Sequence, residues 1–207
     1  MTWRDIVITG LLAFGVAACA TTPPTRYLTL VALPPAGLQD RTGVGLTLTP
    51  PTVRWPAALD RLEVAQPGGD VEVTVAELTR WSAAPARLAA AALTQDLVAR
   101  LPGLSIAPSF ESAAPDAATV EVEVEAIDAR PDGYGLLAAV TITRGGAAPL
   151  RRLVALHAAG THNADGEAHA LSGLIAAIAD QIAGDLSIGF IAVPPASDPN
   201  ANRRPTP

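Results

Sequence analysis

Short runs of alternating apolar and polar residues punctuate the chain, and each reads as a half-buried strand. Tyr27-Leu28-Thr29-Leu30-Val31 is the first, and Val44-Gly45-Leu46-Thr47-Leu48 the second, stopped by Pro50-Pro51. Leu62-Glu63-Val64-Ala65 and Val71-Glu72-Val73-Thr74-Val75 predict a hairpin. Its turn, Pro67-Gly68-Gly69-Asp70, supplies glycines for positive φ. Later runs over 119–129, 136–143 and 153–157 are separated by Asp132-Gly133 and Gly145-Gly146, and predict an antiparallel meander. Within the first of them, Val120, Val122 and Val124 fall on one face and Glu121, Glu123 and Glu125 on the other. That is the pattern of a strand with one solvated face; an acidic ladder for cations is the less economical reading.

Two stretches have helical period instead. Pro85 to Leu101 carries Leu88, Ala92, Leu93, Leu97 and Leu101 close to i, i+4 spacing, with Arg87, Gln95, Asp96 and Arg100 expected on the surface. Ser82 is the expected cap and Pro102-Gly103 the stop. The second helix is expected from about Glu167 to Leu186, with Leu171, Leu174, Ile175, Ile178 and Ile182 on one side and Asp165 as cap. Strands plus two helices predict an α+β fold: a mixed, mostly antiparallel sheet with two main helices packed on one face.

The ends are of a different kind. Ile6 to Ala18 is apolar apart from Thr9, Gly10 and Gly15, follows a short charged start, and is shorter than a comfortable membrane span. It closes on Val16-Ala17-Ala18-Cys19, which resembles a bacterial lipobox. Small residues suit a signal-peptidase groove, and a thiol accepts a diacylglyceryl group. Cys19 is also the only cysteine of the chain, which excludes an internal disulfide and a multi-thiolate zinc site. Residues 1–18 are therefore read as a signal peptide, 19–26 as a lipidated tether, 27–193 as one domain, and 194–207 as a Pro-rich tail with almost nothing to bury. Acyl chains on Cys19 would hold the protein to a bilayer. The position after Cys19 is Ala20 rather than Asp, which leans towards the outer membrane.

Composition narrows the function. The 207 residues are 49% hydrophobic and 16% charged, with a net charge of −6. An acidic chain without a basic run is a poor partner for nucleic acid. No Gly-x-Ser-x-Gly elbow, phosphate loop or His-Glu-x-x-His pair occurs. Ser172 is an isolated helical serine and does not read as a nucleophile. His157, His162 and His169, with Asp165 and Glu167, match no standard metal spacing, so neither metal nor cofactor is expected. Arg54-Trp55-Pro56 and Arg80-Trp81-Ser82 pair residue types enriched at interface hot spots. Trp81 leads into a helix and favours a core position; Trp55, in a Pro-flanked loop, fits core or surface equally. Asp60-Arg61 fits either a local ion pair or a contact point.

The order of these features resembles the ABC-type transport auxiliary lipoproteins, the PqiC or YmbA family. The resemblance rests on the lipobox, Tyr27-Leu28-Thr29-Leu30, Pro51-Thr52-Val53-Arg54-Trp55-Pro56-Ala57-Ala58-Leu59-Asp60-Arg61, Arg80-Trp81 before the long helix, and the last helix over 168–184. It implies a non-enzymatic, periplasm-facing lipoprotein working with an MCE-domain protein and an inner-membrane permease or ABC transporter that moves phospholipids between membranes. It is compatible with a homo-oligomer. Trp55, Leu59, Asp60, Arg61, Arg80 and Trp81 are the expected partner contacts, with Cys19 the lipidation site. A scaffold or activator lipoprotein of another envelope assembly machine is the alternative, since fold does not fix function. A periplasmic hydrolase is disfavoured by the missing motifs.

Overall fold

The computed structural model describes residues 23–35, 41–67, 72–108 and 116–191. Nine strands and two long helices are present among them: β1 (Arg26–Leu28), β2 (Thr47–Leu48), β3 (Thr52–Arg54), β4 (Glu63–Pro67), β5 (Val73–Trp81), α1 (Pro85–Arg100), β6 (Ser105–Ile106), β7 (Ala118–Arg130), β8 (Gly133–Arg144), β9 (Leu150–Ala159) and α2 (Ala164–Ile191). The α+β class with two helices stands.

The expected meander is the backbone of the larger sheet. β7, β8 and β9 pair antiparallel in long unbroken ladders apart from one bulge between Val124 and Ala126. Val120, Val122 and Val124 point into the core while Glu121, Glu123 and Glu125 are exposed, so the alternation marks a solvated outer face. Both connecting turns lie where glycine was expected. A Cβ at Gly133 would stand 2.1 Å from the Ala158 carbonyl oxygen, so only glycine fits; Gly145 has φ of 50°, a left-handed conformation that glycine adopts without cost. The short β2 and β3 add to β7 in parallel, and β6 adds to β2.

A second, three-stranded sheet, in the order β1-β5-β4, was not foreseen as separate. β4 and β5 form the expected hairpin, whose turn lies outside the described residues. β1 pairs in parallel with the far end of β5, Arg26 opposite Thr79 and Leu28 opposite Trp81. The strand limits differ from those expected. The first strand ends at Leu28, the second begins only at Thr47, and β3 and β6 appear where none was expected.

The two helices pack on one another and on the apolar face of the larger sheet. Leu93 and Leu97 of α1 meet Leu171, Leu174, Ile175, Ile178 and Ile182 of α2 in a single core. Burying a Leu or Ile side chain contributes about 1.5–3 kcal/mol, so this row is the main stabilising seam. The helix caps differ from expectation. α1 begins after Ala84 with no side-chain cap of its own and with Pro85 in its first turn, so Ser82 does not cap it. Asn163, not Asp165, caps α2: its Oδ1 accepts the Gly166 N–H at 2.8 Å. Asp165 lies one residue inside the helix and forms a 2.7 Å ion pair with Arg26 of β1.

Candidate partner-docking site

Each expected contact residue lies at one corner, where the β3–β4 loop meets the end of β5 and the start of α1. The loop is tight. The Leu59 and Asp60 N–H groups both donate to the Pro56 carbonyl, at 2.8 and 3.0 Å, and the Arg61 N–H donates to the Leu59 carbonyl at 3.0 Å. The Trp81 N–H donates to the Leu62 carbonyl at 2.7 Å, fixing the loop's exit to β5.

Trp55 and Trp81 are only 9% and 3% exposed, and both belong to the core. Their rings fill space under the corner and are not surface contacts, because an indole loses too much apolar burial in water to be held outside without a partner. For Trp81 the core reading expected from its place before a helix is the one realised; for Trp55 the structure selects between two open readings. The four remaining residues divide the surface among them. Leu59 is half-buried against the core. Asp60 accepts the Ala86 N–H at 3.2 Å, so it caps α1 across a separation of 26 residues. Arg61 Nε meets Glu63 Oε2 at 3.3 Å and Arg80 Nη2 meets Glu63 Oε1 at 3.8 Å. A hydrogen bond from its own backbone, then the Arg61 side chain, hold the Glu63 carboxyl below its usual range. Two guanidinium groups thus share one carboxylate, and with exposed Asp60 beside them the charges of this rim balance.

Sequence reasoning missed a second polar cluster. Asp96 and Arg100, expected on the surface of α1, are buried. Arg100 donates through Nη1 to Asp96 Oδ1 (3.0 Å) and the Leu33 carbonyl (3.0 Å). It also grips Asp180 of α2 through Nε (2.8 Å) and Nη2 (3.2 Å). Asp96 Oδ1 in turn accepts the Leu33 N–H at 2.9 Å. The signal was available: 89, 92, 93, 96, 97 and 100 fall on one helical face, and Asp96 and Arg100 stand i, i+4 on it. Ser172 is buried too, accepting the Val31 N–H (3.2 Å) and donating to the Ala168 carbonyl (2.7 Å). That is a structural role.

The histidine group does not converge. His157 Nε2 stands 3.0 Å from exposed Asp132, and His162 packs against the Tyr134 ring, centroids 5.6 Å apart. No three His, Cys, Asp or Glu side chains among the described residues are placed to hold a metal ion. Glu167 is instead buried, 3% exposed, beside Gln66 and Tyr134. Desolvation pushes its carboxyl up to about 7, and its Oε2 has no hydrogen-bond partner among the described residues. An apolar cavity of about 320 Å³ lies at the other end of the larger sheet among Ile142, Leu150 and Leu186. That is the lower end of ligand-pocket volumes. No helix among the described residues is long and apolar enough to cross a membrane. Cys19 and the tail at 194–207 lie outside the described residues.

The fold has solved relatives. One crystal structure, of an uncharacterized protein, superposes with a TM-score of 0.63 at 20% identity, covering 80% of this chain and 100% of that one. A Xanthomonas campestris protein superposes with a TM-score of 0.55 at 10% identity, covering 82% and 97%. At such identities the likeness is one of fold. No curated protein matches the chain. The family profile described as ABC-type transport auxiliary lipoprotein component matches residues 28–183, the whole span from β1 into the second half of α2. The chain therefore belongs to the ABC-type transport auxiliary lipoprotein family.

Proposed function

We propose that this protein is a non-catalytic accessory lipoprotein of an MCE-type system that moves phospholipid between the inner and outer membranes. In this reading Cys19 carries the acyl anchor, in the outer membrane, and the folded domain docks on the periplasmic end of the transport conduit. The observation that carries it is the family match over nearly the whole domain, with a lipobox cysteine placed seven residues before β1. The rim of Leu59, Arg61 and Arg80 supports docking. It is rigid because buried tryptophans underlie it, and it has unspent donors, since two arginines share one carboxylate.

The test is purification of the full-length lipoprotein from native membranes in mild detergent, with mass spectrometry of proteins and lipids. Recovery of an MCE-domain protein and a permease supports the reading, and Arg61→Glu with Arg80→Glu should cut that recovery by about tenfold. Recovery of a cell-wall enzyme in their place would overturn it.

A further inference from the structure

Asp96 and Glu167 are the buried carboxylates among the described residues, and only Asp96 has a cation beside it, Arg100 at 3.0 Å. Three elements close over Glu167. α2 carries it in its first turn, β8 brings Tyr134 and β4 brings Gln66, whose Nε2 stands 3.4 Å from the Tyr134 hydroxyl. Desolvation acts most strongly on the carboxyl, and the Gln66 side chain, hydrogen-bonded to it, offsets this only in part. The other titratable and charged groups of the neighbourhood are Tyr134, whose hydroxyl burial pushes up, and His162 on the Tyr134 ring. Asp165, one turn-neighbour of Glu167, is held by Arg26 of β1. His162, Asp165, Arg26 and His169 are all exposed. An ionised Glu167 in the closed seam is therefore a buried charge without a partner, and either a proton or water must relieve it.

The walls of this seam are not equally firm. α2 starts on its Asn163 cap, and a Cβ at Gly166 would collide with the Thr161 carbonyl oxygen, so the first turn is packed down on the preceding loop. β8 is paired along almost its whole length with β7 on one side and β9 on the other. β4 is held differently. No ladder joins the smaller sheet to the larger one. Within the hairpin the register slips between Glu63 and Ala65, and such a bulge lets a strand bend. On one side of the slip Glu63 pairs with Arg80, next to Trp81 in the core. On the other side lie Ala65, opposite Val75, and Gln66, opposite Thr74.

We propose that Glu167 is a proton-operated latch between the two sheets: neutral, it keeps the Gln66 end of β4 closed on α2 and β8; ionised, it lets that end lift so that water reaches the carboxylate, while the Trp81 end stays in the core. The latch is independent of the lipid anchor and of any docking partner. Its direction follows from proton linkage. The closed seam holds the proton up to about pH 7, whereas the free group has a value of 4.5. Loss of the proton therefore favours the open form, and the ratio of open to closed rises about tenfold between pH 6 and pH 8. Global unfolding is not required, because the ladders of β7, β8 and β9 do not pass through the seam.

Hydrogen–deuterium exchange of the full-length protein in mild detergent tests this, read by mass spectrometry at pH 6 and pH 8 and corrected for the intrinsic exchange rate at each pH. Amides over 65–66 and 73–75 should exchange about tenfold faster at pH 8, with those of β7, β8 and α2 unchanged. Glu167→Gln keeps the shape and removes the charge, and should leave the two strands equally protected at both pH values. His162→Asn, with Glu167 in place, should respond as the wild type does. Equal wild-type protection at pH 6 and pH 8 would overturn the latch, and this comparison stands even if the glutamine variant fails to fold. A loss spread evenly over β7, β8 and α2 would mean global unfolding and overturn it too. So would a response that survives Glu167→Gln, or one that vanishes with His162→Asn.

Discussion

Helix α1 opens at Pro85 without a side-chain cap of its own, and its Ala86 N–H finds an acceptor only in Asp60 of a distant loop. Asp60→Ala should therefore cost ~1 kcal/mol, a fall in Tm of about 2–4 °C for a domain of this size. Asp60→Asn keeps an acceptor and should recover most of it; equal Tm values for all three proteins would remove the cap from the account. Glu167 sets a pH dependence of the opposite sign to an ordinary paired carboxylate. Its folded value of about 7 exceeds the 4.5 of the free group, so the folded state holds its proton more tightly. Its stabilisation is complete below about pH 4.5 and is lost as pH rises towards 7, on the order of 3 kcal/mol in all. Gln66 and Tyr134 are the polar groups packed on it, from β4 and β8. Glu167→Gln should flatten this part of a urea-midpoint profile between pH 5 and 8 and raise stability at pH 8. A wild-type profile that climbs through that window, with no gain from the glutamine, would contradict it.

Helices and the long strands were legible because each presents a repeating apolar face. β7 could be assigned from Val120, Val122 and Val124 alone, and α2 from its leucine and isoleucine row. β3 and β6 were not legible, since strands of two or three residues have no period to read; they exist because β7 and β2 offer edges to pair with. The caps failed for a related reason. Ser82 and Asp165 are good local candidates, but a cap is decided by which oxygen reaches the free N–H, and Asp60 and Asn163 do. Between elements, Arg100 is the principal polar clamp, joining α1, α2 and the segment after β1. Arg100→Ala leaves Asp96 buried without its cation and should destabilise by about 3–5 kcal/mol, measured by denaturant unfolding. A loss under 1 kcal/mol would mean that water reaches Asp96 freely.

At the scale of the whole molecule, the proposed anchor at Cys19 should be separable from the domain. Cys19→Ala should release the protein from the membrane fraction while leaving the Tm of the domain unchanged, read by fractionation and calorimetry. Retention of the alanine variant in membranes would point to binding through the folded part alone. Sequence by itself determined the class of the molecule: periodicity specifies strand or helix wherever one face is buried, and the order of the motifs points to the family that the profile match shows. Only the tertiary structure decided which polar residues are inside. Glu167 and Ser172 look like surface residues in one dimension, because burial depends on which elements pack over a position. The same holds for the tryptophans and for the hairpin. That Trp55 and Trp81 fill the core while Val73 and Val75 face outward follows from where a small second sheet leans on the first, and neighbours in space, unlike neighbours in sequence, have no period.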